Sequence, residues 1–234
     1  MSKAADDTTW IECWRHGLIE LHDSLNALPN ETSVSELSIW NCQLPVLIAS
    51  LLSKVRPITL RVTNCTTRKW SRDAFDQLGD DLTHLHLPYN HVLELNKRSF
   101  AKLKHLTRLD LSNNKLSGLS RDSFGVLPNL RRLNLQNNQI KTIENDTFVG
   151  MRQLRHLILS HNRIETISKR TFAGLNNLES LILSDNHISL IEQGAFEHMT
   201  KLQSLNLTGN PLIPQQLSGM PALLHRNNNG LQTP

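Results

Sequence analysis

Leu82, Leu106, Leu130, Leu154, Leu178 and Leu202 stand 24 residues apart without exception. Each opens the same phrase: LTHLHLPYNHV, LTRLDLSNNKL, LRRLNLQNNQI, LRHLILSHNRI, LESLILSDNHI and LQSLNLTGNPL. A fixed period of this size is the mark of stacked supersecondary units. No single copy has enough apolar residues to enclose a core, so neighbours must share one elongated core. Within each copy the residues at unit positions 4 and 6 face one way and those at 3, 5 and 7 the other, as a strand requires. An apolar residue recurs at position 14 (Leu95, Leu119, Ile143, Ile167, Ile191) and a phenylalanine at position 19 (Phe100, Phe124, Phe148, Phe172, Phe196). Position 22 is Leu103, Leu127, Met151, Leu175 or Met199. Position 9 is always asparagine: Asn90, Asn114, Asn138, Asn162, Asn186 and Asn210.

The repeat accounts for the composition. Of 234 residues, 42 are leucine and 22 asparagine, a pairing that ordinary globular chains do not share. An asparagine where the chain leaves the strand offers donors and acceptors to turning backbone, so the position 9 column reads as a structural ladder. The phenylalanine column reads as a second core spine on the opposite side. Such a chain is neither disordered nor collagenous. Its longest apolar run, Leu44 to Leu52, falls well short of the ~18–20 residues of a membrane span.

These motifs resemble the leucine-rich repeat family, in particular its 24-residue class with a phenylalanine spine, found mostly in extracellular proteins and receptor ectodomains. The resemblance covers roughly Val34 to Leu212. It implies an α/β-type solenoid, mostly β and coil, curved into a horseshoe with a parallel sheet lining the hollow.

Two less regular units precede the six. VSELSIWNCQL and PITLRVTNCTT place Cys42 and Cys65 at the ladder position. The family tolerates cysteine there, because a small buried thiol can replace the amide. CWRHGLIELHDSLNALPN resembles the strand-forming end of the family's N-terminal cap, but keeps only Cys13 where extracellular caps carry paired cysteines. LTGNPLIPQQL resembles the start of a C-terminal cap, with Pro214 and Gln216 where the two cysteines would stand. The expected organisation is a flexible lead-in (1–9), a cap-like segment (10–33), about eight repeats (34–212), a degenerate cap (213–224) and a polar tail (225–234). Three cysteines cannot all pair within one chain, and they form no CxxC metal pattern.

The strand face lining the hollow is the usual binding surface of such a scaffold. The period selects its outward residues. Position 3 gives His84, Arg108, Arg132 and His156. Position 5 gives Arg61, His86, Asp110, Asn134, Ile158 and Ile182. Position 7 begins with Trp40 and continues through Ser112, Ser160 and Ser184. Position 8 adds Tyr89. Ile158 and Ile182 are neighbouring apolar residues on a face expected to be wet, which marks a contact patch. An outward Trp40 is a favoured interface anchor. Arg61, Arg108 and Arg132, with Arg131 and Arg155 beside them, give the face a positive bias that includes Asp110.

No catalytic chemistry is visible. The histidines fall into two groups, His84, His86 and His91, then His156 and His161, three repeats and about 14 Å apart, too far to share a metal. Ser160 near His156 and His161 follows from the repeat alone and specifies no nucleophile. No phosphate loop or paired-carboxylate motif occurs, and no cofactor or metal is expected.

Four N-x-S/T triplets occur, at Asn30, Asn64, Asn145 and Asn206; if glycosylated they demand a secretory route. Against this, Met1 to Thr9 has no apolar core of a signal peptide. The expectation is a non-catalytic module that binds a protein partner through the hollow face, in extracellular recognition, adhesion or innate immunity. The alternatives are a glycosaminoglycan ligand, which the net charge of +4 permits, and an intracellular scaffold. Nucleic acid is not an expected partner.

Overall fold

The computed structural model describes residues 10–15, 17–95 and 99–213. The expected lead-in (1–9), most of the expected C-terminal cap and the tail lie outside them. The chain coils into a solenoid in which strand, turn and outer segment succeed one another. Nine parallel strands, taken in strict sequence order, form one sheet: Trp10–Trp14, Thr32–Trp40, Val55–Thr63, His84–His86, Arg108–Asp110, Arg132–Asn134, His156–Ile158, Ser180–Ile182 and Ser204–Asn206. The register repeats without slippage, so Leu85, Leu109, Leu133, Leu157, Leu181 and Leu205 are successive Cα partners. Between these strands the described residues form two-residue strand pairs, such as Gly118–Leu119 with Thr142–Ile143, turns, and two short 3-10 helices, Ala49–Leu52 and Asp76–Leu78. A continuous sheet on one side and short turns on the other give the horseshoe that the repeat implied.

The N-terminal segment does more than contribute a strand. After Trp10–Trp14, which pairs with Thr32–Trp40, a helix spans Leu18–Asn26. Leu21 and Leu25, one turn apart, are fully buried on its inner face. The Glu20 carboxylate accepts the Gly17 N–H at 3.0 Å and so closes the helix start.

Between sheet and outer turns lies one unbroken core. The leucines at unit positions 1, 4 and 6 are buried in the regular copies, except that Leu202 in the last copy is only partly buried. The phenylalanine spine begins one unit earlier than the regular period shows, at Phe75. All six phenylalanines of the chain belong to it. Their rings stack at 5.9–6.4 Å between centroids, tilted by only 15–24°. Trp70 closes the near end, 5.7 Å from Phe75 and 5.8 Å from Phe100.

The asparagine ladder bridges turns. Asn138 Nδ2 donates to the carbonyls of Leu135 (3.1 Å) in its own unit and Leu111 (3.0 Å) in the unit before, while its Oδ1 accepts the Leu116 N–H (3.0 Å). Asn114, Asn162, Asn186 and Asn210 repeat this pattern. At the second irregular unit a cysteine takes over the acceptor role: Cys65 Sγ accepts the Cys42 N–H at 3.4 Å. All three cysteines are buried and free. Burial pushes the Cys65 thiol up to about 12 and the Cys13 thiol up to about 11. They stay protonated, and the Cys65 S–H donates to the Thr63 carbonyl at 3.4 Å.

The outer turns pack closely at Gly150. A Cβ there would lie 2.4 Å from the Gly125 carbonyl oxygen and 2.9 Å from Val126 Cα, and backbone cannot swing aside. Gly150→Ala is expected to lower stability by about 1–3 kcal/mol, read from a denaturant midpoint. An unchanged midpoint contradicts this packing.

Candidate functional site

The repeat's geometry places the outward residues in rows across adjacent strands. His84, Arg108, Arg132 and His156 are successive Cα partners at the strand starts. Two residues further along, Arg61, His86, Asp110, Asn134, Ile158, Ile182 and Asn206 form a second row. The two isoleucines lie side by side, half-buried. Trp40 stands at the end of its strand toward the N-terminal edge, 38% exposed.

The positive residues are not equivalent. Arg61 is held by Glu36, Nε to Oε1 at 2.8 Å, and Arg155 by Glu179 at 3.1 Å. Arg61 therefore leaves the positive column that the sequence outlines, and Arg155 is shared with an acid. Arg108, Arg131 and Arg132 are exposed and form no ion pair among the described residues. Together with His84, Thr107, Arg155 and His156 they line an open concavity of about 360 Å³. Burial, and then the Arg108 guanidinium, lower the His84 pKa, so this imidazole is neutral at physiological pH. Its Nδ1 lies 2.8 Å from the Thr83 hydroxyl, and its ring is parallel to that of His86, 6.3 Å away. Replacing Arg108 by alanine is expected to raise the His84 pKa, as an NMR titration of its ring protons would show.

Several outward residues turn out to be architectural. Asp110 Oδ1 accepts the Ser112 N–H at 2.9 Å, and Asn134 Oδ1 accepts the Gln136 N–H at 3.1 Å. These side chains cap the strand's exit as local turns. Burial raises the Asp110 carboxyl, but Ser112 and His86 outweigh it, and the net shift is downward. Asn206 does the same for Thr208. The position 7 serines expected to be outward, Ser112, Ser160 and Ser184, are buried instead, at the turn where the ladder amide two residues on donates to their carbonyls.

The next position carries a signal that the sequence reading missed. Asn41, Asn64, Tyr89, Asn113, Asn137, His161 and Asp185 all have φ between 51° and 56°. Left-handed backbone is costly for most side chains, while asparagine and aspartate tolerate it. The frequency of Asn and Asp in this column is the clue that was available. Asn137 also donates to Asn113 across the turn at 2.9 Å. Tyr89, 58% exposed, is the poor fit. Tyr89→Asn is expected to stabilise the fold by up to about 1 kcal/mol, visible as a raised melting temperature. A lowered one would mean that the ring makes contacts which outweigh the strain.

Of the four triplets, Asn30, Asn64 and Asn145 are exposed, whereas Asn206 is half-buried on the sheet face. Among the described residues no group of three His, Cys, Asp or Glu side chains could hold a metal ion, and no helix is long and apolar enough to cross a membrane.

A horseshoe of stacked 24-residue units with a ladder, a spine and a parallel inner sheet defines the class. The leucine rich repeat family model matches at 80–140, 105–164, 128–188 and 152–212, more than half of the chain, and the protein belongs to that family. No curated protein sequence matches it. Among solved structures, that of a TLR13–ssRNA13 complex is similar with 28% identity and a TM-score of 0.77, over 88% of this chain and 30% of that one. A Toll–Spätzle complex from Drosophila aligns over 86% of this chain and 32% of that one, at 19% identity and a TM-score of 0.48. The chain thus spans about a third of the length of the structures it matches.

Proposed function

We propose that this chain is a non-catalytic recognition module of an extracellular protein or receptor ectodomain, serving innate immunity, and that it binds a protein partner through the sheet face. The observation that carries this reading is the side-by-side pair Ile158 and Ile182 on the hollow face. The core leucines already fill the solenoid, so folding gains little from apolar residues on the other side of the same strands. Apolar groups on an open face are stabilised when a partner covers them. The likeness to TLR13 supports the receptor setting, and the exposed triplets at Asn30 and Asn145 suit a secreted chain.

Ile158→Thr with Ile182→Thr, which creates no glycosylation triplet, is expected to abolish capture of the partner in cross-linking to cell-surface and secreted proteins, with the melting temperature nearly unchanged. Capture at the parent level would sink the reading. When the natural precursor is expressed in eukaryotic cells, a mass shift at Asn30 or Asn145 that glycosidase removes is expected; a chain left unmodified at every triplet points to the intracellular scaffold.

A second reading has its own observation. Arg108, Arg131 and Arg132 could face a polyanion, and the similar TLR13 structure is a complex with ssRNA. Retention on heparin that falls steeply with salt would favour it, and elution near physiological salt rejects it.

A further inference from the structure

We infer that the cluster of Arg108, Arg131, Arg132 and Arg155 is the subsite for an acidic segment of the partner protein, one that carries apolar side chains beside its carboxylates. This deepens the proposed function and rests on its assignment of the sheet face. Arg108 and Arg132 are direct Cα partners on adjacent strands, and Arg131 and Arg155 border the same concavity. Like charges directly opposite one another destabilise a sheet, and three of these four have no counter-ion among the described residues. An anion seated between them removes the repulsion. The planar guanidinium fork matches a carboxylate in bidentate fashion.

Three features select a peptide over a uniform polyanion. The first is that the patch is short. From His84 to His156 it crosses four strands, about 14 Å at ~4.8 Å per strand. The second is that it is fenced by acids. Glu36 neutralises the next arginine on one side, Arg61, and Glu179 pairs with the cluster's own Arg155 on the other, so a long sulfated or phosphodiester chain would find no unpaired arginine past either end. The third is its neighbour. Ile158 sits two residues beyond His156 on the same strand face, with Ile182 beside it. An acidic segment with an apolar side chain uses both surfaces, and a uniformly charged polymer uses one. Single-stranded nucleic acid gains much of its affinity by stacking on aromatic rings. The six strands from His84–His86 to Ser204–Asn206 carry no Phe, Tyr or Trp.

The experiment is a selection of short random peptides on the full chain, followed by affinity measurement at physiological salt. Enriched peptides are expected to combine Asp or Glu with apolar residues. Their binding should weaken about tenfold or more with Arg108→Glu plus Arg132→Glu, and also with Ile158→Thr. Arg61→Glu should have little effect. Arg108→Gln plus Arg132→Gln repeats the test with a gentler change, and melting curves confirm the fold of each variant. Enriched peptides without acidic residues, or no peptide that depends on the arginines, overturn the inference. So does tighter binding by a heparin oligosaccharide or a mixed-sequence single-stranded RNA at the same arginines. If the isoleucine variants lose the natural partner while the arginine variants keep it, the proposed function stands and this inference alone falls. If the isoleucine variants keep the partner, the proposed function falls.

Discussion

Replacing Asn138 by alanine is expected to cost about 2–4 kcal/mol of folding stability, a large share of what a domain possesses. The size follows from what the amide leaves behind. The Leu116 N–H loses its acceptor at 3.0 Å, and the Leu111 and Leu135 carbonyls each lose one of two amide donors, keeping Asn114 and Asn162. Each is buried between stacked turns, where water does not replace the lost bond without opening the solenoid. An unmade buried hydrogen bond costs more than a made one contributes. In a solenoid each unit contacts only its neighbours, so the deficit weakens both adjoining interfaces at once. Asn138→Cys is expected to lose less than the alanine variant. Cys65 shows why: its sulfur still accepts a neighbouring N–H at 3.4 Å and its S–H still donates to a carbonyl. Denaturant midpoints with unchanged slopes measure both variants. Equal losses in the two variants, or a loss below about 1 kcal/mol in the alanine variant, would falsify the ladder's role.

What was legible in the sequence is what the period dictates. Leu85, Leu109 and Leu133 fall on one column because their spacing of 24 matches one turn of the coil, and a residue in that column has only one environment. The same holds for Asn90 to Asn210, and for the phenylalanines of the regular copies. Phe75 belongs to the spine but lies in an irregular unit, where counting fails and only the fold restores its place. The helix Leu18–Asn26 carries its own signal in Leu18, Leu21 and Leu25, at helical spacing within a segment that otherwise reads as cap.

The candidate site was less legible, because alternation tells which side a residue faces but not what it touches. Asp110 and Asn134 face the hollow as expected, yet each is occupied by the N–H two residues on. Arg61 meets Glu36 across 25 positions of sequence, and that pairing depends on two flexible side chains reaching each other. Arg108 and Arg132 have the same residue type and the same direction, yet no ion pair with a described residue. The difference between a neutralised and an available arginine lies in the neighbouring units, not in the repeat itself.

If the sheet face is the recognition surface, blocking it with a sugar has the largest expected effect on binding. Gln136→Thr turns Asn134–Leu135–Gln136 into a glycosylation triplet in the middle of the hollow. A bulky glycan on Asn134 would stand among Arg108, Arg132 and Ile158, whose strands flank or share its own. Gln136→Val changes the same position without creating a triplet, and a glycan added at the exposed natural triplet of Asn145 would serve as a control away from the sheet face. The decisive measurement is partner capture by the Gln136→Thr chain made in the secretory pathway, before and after enzymatic removal of the glycan. Loss of capture that returns on removal, with the Gln136→Val chain behaving like the parent, is the predicted result. Full capture by a chain shown by mass to carry the Asn134 glycan would contradict the account.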